Sequence, residues 1–355
     1  MDRTKLQELF KATAAIDTPE GVEAYKAFAQ ALTVPILQEI RDASIMRQLF
    51  AVERLAPGAQ AVYPVADDFD IPVFVLPGLG YIAQNFVEGV GEEVYVPTFS
   101  ISVSADWKVT YARDSRIDIP ERSARNAARA IADYEEESGW RVIVPGATTN
   151  FAGQGLLGPR NAPIYQVPTG QTGEKFLSKE LLNLMMVGMK RVRRSLTDLY
   201  ISPEDAADIR EWTDTQVDPI TRREIFTASG MGRIWNINLH EVFQLGATGR
   251  YNINQNGAQF GVFQVDGSGD FNDYTPTNVN TVDANGNVTA AGETQVYGFD
   301  LSVNDSLVMP VRKEFEAHDD PTLLRQQKQG FFGWEEVGFA LLDSRMVQMG
   351  VIDRS

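Results

Sequence analysis

The sequence has no cysteine and only two histidines, His240 and His318. Without cysteine there is no disulfide framework, no thiolate zinc site and no cysteine nucleophile. Two histidines cannot build a three-histidine zinc centre. Cations are also scarce: 32 Lys and Arg face 48 Asp and Glu, a formal charge of −16. A body whose main task is to grip phosphate backbones needs clustered Lys and Arg, so this balance argues against one. No apolar run approaches the ~18 residues of a membrane-spanning helix. The opening MDRTKLQELFKATAAIDTPEG carries charges throughout and has no apolar core, so no signal peptide is expected.

What is present suits a globular chain: 43% hydrophobic and 23% charged residues. The 355 residues exceed the ~250–300 at which one core usually stops growing, so two or more packed bodies are expected. Residues 4–16, 19–33 and 35–50 read as helices, with Thr18 as a cap and Pro19 at the first helical position. Together they form a thin arm, too small to bury a core alone. From Val52 to Phe99 the pattern changes to strands, AQAVYPV (59–65) and IPVFVL (71–76), interrupted by prolines 64, 72, 77 and 97. Proline confines such strands to edges, and a two-stranded ribbon is marginal by itself. The ribbon therefore lies either on its own domain or on a neighbouring subunit, and physics alone leaves the two readings level.

Residues 92–115 read as a long strand run, with Phe99, Ile101 and Val103 alternating with Ser100, Ser102 and Ser104. Pro120 opens an Ala-rich helix whose inner stripe is Ala124, Ala127, Ala128, Ile131, Ala132 and Glu135, and Gly139 is expected to stop it. After a Gly/Pro/Thr-rich stretch at 145–175, Ser178 caps a helix over 178–195 with Leu182, Met185, Met186, Met189 and Val192 inward. A strand at 196–202 leads to a helix over 203–212, opened by Ser202 with Pro203 at its first position. The Asn/Asp/Gly/Thr-rich segment 261–303 reads as a surface insertion, and 324–352 as one or two long closing strands.

Candidate chemistry is sparse. Asp283, Asn285 and Asn287 have calcium-loop spacing, but Val288 stands where Gly is needed and Thr294 where Glu is needed, so a plain hairpin at Asn285-Gly286 explains them. The G-x-G triplets at 78–80, 153–155, 230–232 and 267–269 lack a third glycine in a strand-then-helix setting and read as turns. Glu135–Glu137 and Asp67–Asp68 read as solvated faces, like Glu88, Glu92 and Glu93, with no nucleophile beside them. The Lys190–Arg194 cluster is the only dense basic patch, and it reads as a helix C-terminus whose cations suit the dipole. No triad companions are identifiable for either histidine. No catalytic, cofactor or metal residues are assigned.

The order of these pieces resembles the major capsid protein of tailed bacteriophages, the Hong Kong 97-type α+β fold also used by encapsulin shells. Residues 34–55 look like the N-terminal arm leading into the E-loop. Residues 99–140 look like the P-domain strands and spine helix, 181–212 like the A-domain core, and 327–351 like the strands returning to the P-domain. The resemblance implies an arm at 1–51, an E-loop at 52–98 and a P-domain at 99–149 and 306–355 with a spine helix at about 120–139. It implies an A-domain at 150–305 with an insertion at about 250–303. It further implies a non-catalytic subunit that self-assembles into hexamers and pentamers of a DNA-filled virion head. A separate scaffolding protein, a portal and a decoration protein would be its partners, with weak or no specific DNA contact, no membrane and assembly in the host cytoplasm. No lysine lies between Val52 and Trp107, so a Lys–Asn crosslink from the E-loop is not expected. Two rivals stand beside this reading: an encapsulin-like compartment, and a soluble enzyme or ligand-binding α+β protein.

Overall fold

Helix α1, Pro19–Ala43, begins on a proline, whose fixed φ and missing N–H suit a first helical position. The computed structural model describes residues 19–64, 93–108, 110, 119–148, 164–167, 170, 173–212, 226–227, 230–247, 249–252, 281–282, 288–290, 292–302 and 306–355. The separate helices expected at 19–33 and 35–50 are corrected: Pro35 lies inside one continuous helix. Leu32, Ile36 and Ile40 recur every four residues and are all buried, so packing on both sides of the proline offsets its lost donor. The chain turns at Ser44 and forms one more turn, α2, Met46–Leu49. Residues 4–16 and Thr18 lie outside the described residues.

Strands β1 (Ala51–Arg54), β2 (Val62–Pro64), β3 (Glu93–Tyr95) and β4 (Phe99–Lys108) lead to helix α3 (Ile119–Thr148). Next come β5 (Ile164–Gln166), α4 (Lys179–Arg191), β6 (Asp198–Ile201) and α5 (Pro203–Glu211). The chain continues as β7 (Phe226–Thr227), β8 (Gly230–Met231), β9 (Arg233–Ile234), β10 (Ile237–Glu241), β11 (Thr281–Val282), β12 (Val288–Ala290) and β13 (Glu293–Phe299). It closes with β14 (Leu307–Asp319), β15 (Lys328–Val337), β16 (Ala340–Leu341) and β17 (Val347–Asp353). Two compact units result: Met1–Val62 with Tyr95–Gly139 and Leu307–Ala340, and Tyr63–Val94 with Trp140–Ser306 and Leu341–Ser355.

The first unit is built on a sheet of order β1-β14-β15-β4. Residues 52–54, expected in the extended arm, instead lie in β1, which runs parallel to β14. β4 pairs with β15 in unbroken antiparallel register from Phe99↔Val337 to Lys108↔Lys328. The period of two holds: Ile101 and Trp107 are buried, while Ser100, Ser102 and Ser104 are exposed. Helix α1 lies on this sheet, where Ala317 N donates to Thr33 Oγ1 at 3.0 Å, so the arm is not without a partner. The small stripe Ala124, Ala127, Ala128, Ile131 and Ala132 of α3 is buried as expected.

Helix α3 does not stop at Gly139. It runs 30 residues to Thr148, with Pro145 in its last turns. Gly139 has a packing role: a Cβ there would sit 2.1 Å from Met46 Sδ. Residues 119–139 belong to the first unit and 140–148 to the second.

The second unit carries a six-stranded sheet, β5-β17-β13-β6-β10-β9. Two expectations change here. β13 is buried at every residue, so 293–299 is core and not surface insertion, while residues 253–280 lie outside the described residues. The tail also splits: β15 lies in the first sheet, and β17 pairs with β13 in the second. Val347, Met349, Val351 and Ile352 are buried, a near-continuous apolar strand that needs cover on both faces. Helix α4 packs Leu181, Leu182, Met185 and Met189 into the cluster of Leu199, Ile201, Val296 and Ile352. Its N-terminus is set by Ser178, whose Oγ accepts from Leu181 N at 3.3 Å. Ser202 and Asp205 form a reciprocal capping box at the start of α5.

Candidate functional site

The Glu135–Glu137 triplet, expected to be solvated, is buried at 0%, 5% and 7% exposure. Its partner lies far away in sequence. Arg47 on α2 donates from Nη2 to Glu135 Oε1 at 2.5 Å and to Glu335 Oε2 on β15 at 3.0 Å. Both carboxyls are fully buried, and the guanidinium nearly so. One cation thus faces two acids in a medium where unbalanced charge is costly. Burial, followed by the charge of Glu135, pushes Glu335 up to about 9, so it holds a proton at neutral pH. Glu314 adds to this field from β14 and is itself held by Arg41 and Arg54. A sealed cluster of this kind ties α2, α3 and β15 together. It admits no substrate.

In the second unit, parallel pairing of β10 with β6 sets Asn238 opposite Asp198 and His240 opposite Tyr200. Asp198 Oδ1 accepts from Asn238 Nδ2 at 2.9 Å and meets His240 Nε2 at 2.8 Å. Burial pushes the Asp198 carboxyl up, but hydrogen bonds from His240, Thr197 and Asn238 prevail and hold it below the usual carboxylate range. The imidazole stacks on Tyr200, with ring centroids 4.6 Å apart. Among the described residues no hydroxyl bonds its other nitrogen, so the pair lacks the nucleophile a triad needs. It serves as a clasp between two strands. His318 likewise stacks on Trp334 at 4.7 Å, beside Phe332, and Lys313 Nζ lies 4.1 Å over the Trp334 ring. The sequence reading missed this row, although Phe332 and Trp334 at a spacing of two on one strand carry the signal.

The remaining motifs resolve simply. Gly230 and Met231 form β8, the return strand of a hairpin with β7. β11 and β12 pair antiparallel, while the expected hairpin turn at Asn285-Gly286, with Asp283 and Asn287, lies outside the described residues. So do Asp67, Asp68, Glu88, Glu92 and the triplets at 78–80, 153–155 and 267–269. Of the Lys190–Arg194 cluster, Arg194 pairs with Asp343 at 2.7 Å, while Lys190, Arg191 and Arg193 are exposed. A groove of about 290 Å³ runs along β4, lined by Ser100, Ile101, Ser102, Val103, Ala130, Ile131 and Tyr134, and it has no acid–base pair. Apolar surface is plentiful elsewhere: Val62, Val94 and Tyr95 on the β2–β3 ribbon, Phe99 and Tyr134 beside the groove, and Leu184 and Val187 on α4 are all exposed.

No protein-family model matches the sequence, and no curated protein matches it. Solved structures do match over nearly the whole chain. The capsid of cyanophage P-SCSP1u is similar with a TM-score of 0.59 at 12% identity, covering 88% of this chain and 89% of that one. The mature capsid of bacteriophage PhiM1 gives 0.56 at 12% identity, with 87% of each chain covered. An encapsulin complex from Synechococcus elongatus gives 0.50 at 10% identity, covering 89% of this chain and 90% of that one. The chain has the Hong Kong 97-type fold.

Proposed function

We propose that the chain is a shell-forming subunit, the major capsid protein of a tailed bacteriophage, which assembles into hexamers and pentamers around double-stranded DNA. The observation that carries this reading is the match of fold to a phage capsid chain over 88% of one sequence and 89% of the other. Exposed apolar side chains on a two-stranded ribbon, on the β4 groove and on α4 support it, because repeated modest contacts hold a closed shell. In this reading the first unit belongs to the P-domain and the second to the A-domain, with the β2–β3 ribbon at the base of the E-loop. The subunit acts by contact and not by catalysis. A charge of −16 limits adhesion of the inner surface to packaged DNA. A separate scaffolding protein and a portal are the partners that such a head would require, and a decoration protein is a further candidate.

An encapsulin-like compartment is the second reading, favoured by the fold similarity to the Synechococcus complex. Expression of the full chain, followed by gel filtration and negative-stain microscopy, tests both. Closed shells or rings of capsomers are expected. Nuclease-protected DNA in particles from infected cells marks a phage head, and a co-purifying protein cargo marks a compartment. A monomer that never assembles, alone or with a scaffolding protein, rejects both.

A further inference from the structure

Helix α4 buries Leu181, Leu182, Met185 and Met189 and turns Asn183, Leu184, Val187, Lys190 and Arg191 to solvent. Leu184 and Val187 are 40% and 52% exposed. With Lys190 and Arg191 they follow the three- and four-residue spacing of one helix face. A lone exposed aliphatic residue is ordinary. Here two of them adjoin the densest run of cations in a chain of net charge −16. Arg194 is occupied by Asp343. Lys190, Arg191 and Arg193 form no ion pair with any described residue. The backbone adds a second observation. Arg193 follows the helix with φ +59°, the left-handed conformation that a glycine adopts there without strain. The helix dipole is already met by Lys190 and Arg191, so it does not account for keeping a cation in that position. A strained, exposed side chain with no ion pair among the described residues is the kind of feature retained for contact with something else.

We propose that this face of α4 is a contact surface for an acidic patch on a second copy of the chain. The proposal rests on the shell reading, which supplies the copies. Copies that share a strong negative charge repel one another unless unlike patches meet, and this cluster is the patch of unlike sign. The partner is protein and not nucleic acid because Leu184 and Val187 stand beside the cations. Aliphatic side chains bury well at the centre of a protein interface, with charges at its rim, and they offer nothing to a phosphate backbone. A contact between two different patches on identical chains is heterologous, the type that closes into rings.

The test compares three full-length proteins: wild type, the triple variant Lys190→Glu/Arg191→Glu/Arg193→Glu, and Arg193→Gly. Wild-type assembly should weaken as salt rises from about 0.05 to about 0.5 M, as screening of unlike patches requires. The triple variant should assemble about tenfold less or worse at low salt while keeping the circular dichroism of the folded subunit. Arg193→Gly should move two readouts in opposite directions: a higher thermal midpoint for the dispersed subunit, from relief of the left-handed strain, and weaker assembly. Zero-length carbodiimide crosslinking of assembled wild type should join Lys190 to an Asp or Glu of another copy. If the triple variant does not fold, Arg193→Gly and the crosslink decide. Variants that assemble like wild type overturn the contact and leave the shell reading standing. Normal assembly with loss of bound DNA reassigns the patch to nucleic acid and also overturns it. A wild-type chain that stays monomeric rejects the shell reading and the contact together.

Discussion

Each unit of the molecule centres on an arginine that faces two carboxyls, yet the two clusters behave differently. In the first unit Arg47 meets Glu135 and Glu335, both fully buried, and Glu335 is driven up to about 9. In the second, Arg354 donates to Asp205 at 2.6 Å and to Asp208 at 2.5 Å. Burial raises the Asp205 carboxyl as well, but Arg354 and the capping box of Ser202 pull against it. Asp205 also sits in the first turn of α5, where the helix end favours an anion, and Asp208 keeps 15% of its surface in water. The stoichiometry is the same; the number of donors available to the second carboxylate is not. Where donors are few, a proton takes their place.

Removal of the cation should expose this contrast most strongly. Arg47→Met leaves two buried acids without a counterion and is expected to cost about 3–5 kcal/mol. Arg354→Met leaves Asp205 with its cap bonds and Asp208 with solvent, for about 1–3 kcal/mol. Chemical denaturation of the dispersed subunits measures both, and equal losses would dissolve the distinction.

The pH response comes next in size. The folded chain keeps a proton on Glu335 that the unfolded chain releases above its ordinary value of 4.5. That stabilisation is complete below the ordinary value and fades as pH climbs toward about 9. Hydrogen exchange at α2 and β15, corrected for intrinsic rate, should therefore report less protection at alkaline pH. Glu335→Gln, which mimics the protonated form, should flatten the response. An unchanged slope in that variant would refute the assignment. Asp198 and Asp343 are shifted down, so their contribution has the opposite sense and disappears as pH falls.

Smaller effects sharpen the picture at single contacts. Ser202→Ala removes one side of the capping box in the second unit and should cost about 1 kcal/mol, seen as a lower thermal midpoint. Arg41→Ala breaks a first-unit ion pair to Glu314 in which Arg41 is 45% exposed and Arg54 remains on the same carboxylate. It should change stability by less than about 1 kcal/mol.

Much of the fold was legible locally. The Ser–hydrophobic alternation of β4, the alanine stripe of α3 and the caps at Ser178 and Ser202 all depend on residues within a few positions of one another. Of the candidate chemistry, the burial of Glu135–Glu137 was not legible, and the exposed face of α4 was visible only as a basic run. Elsewhere local signals pointed the wrong way. Gly139 resembles a helix stop because glycine usually weakens helices, and Met46 passing across it is the reason it is there. Pro35 resembles a break, and β14 carries Pro310 within a central strand whose neighbours lie far off in the chain.

Hydrophobic period, capping chemistry and charge balance follow from the order of residues, because each acts over one or two turns or along one strand. They determined which segments become helices and strands and that the chain is acidic and free of cysteine. Tertiary structure decided which carboxylates are buried, which sheet receives each closing strand, and which cations find an ion pair among the described residues. Those outcomes depend on residues such as Arg47 and Glu335, 288 positions apart, coming within hydrogen-bonding distance. The energy of a charge is set by the dielectric and the donors around it, and those exist only once the chain has folded.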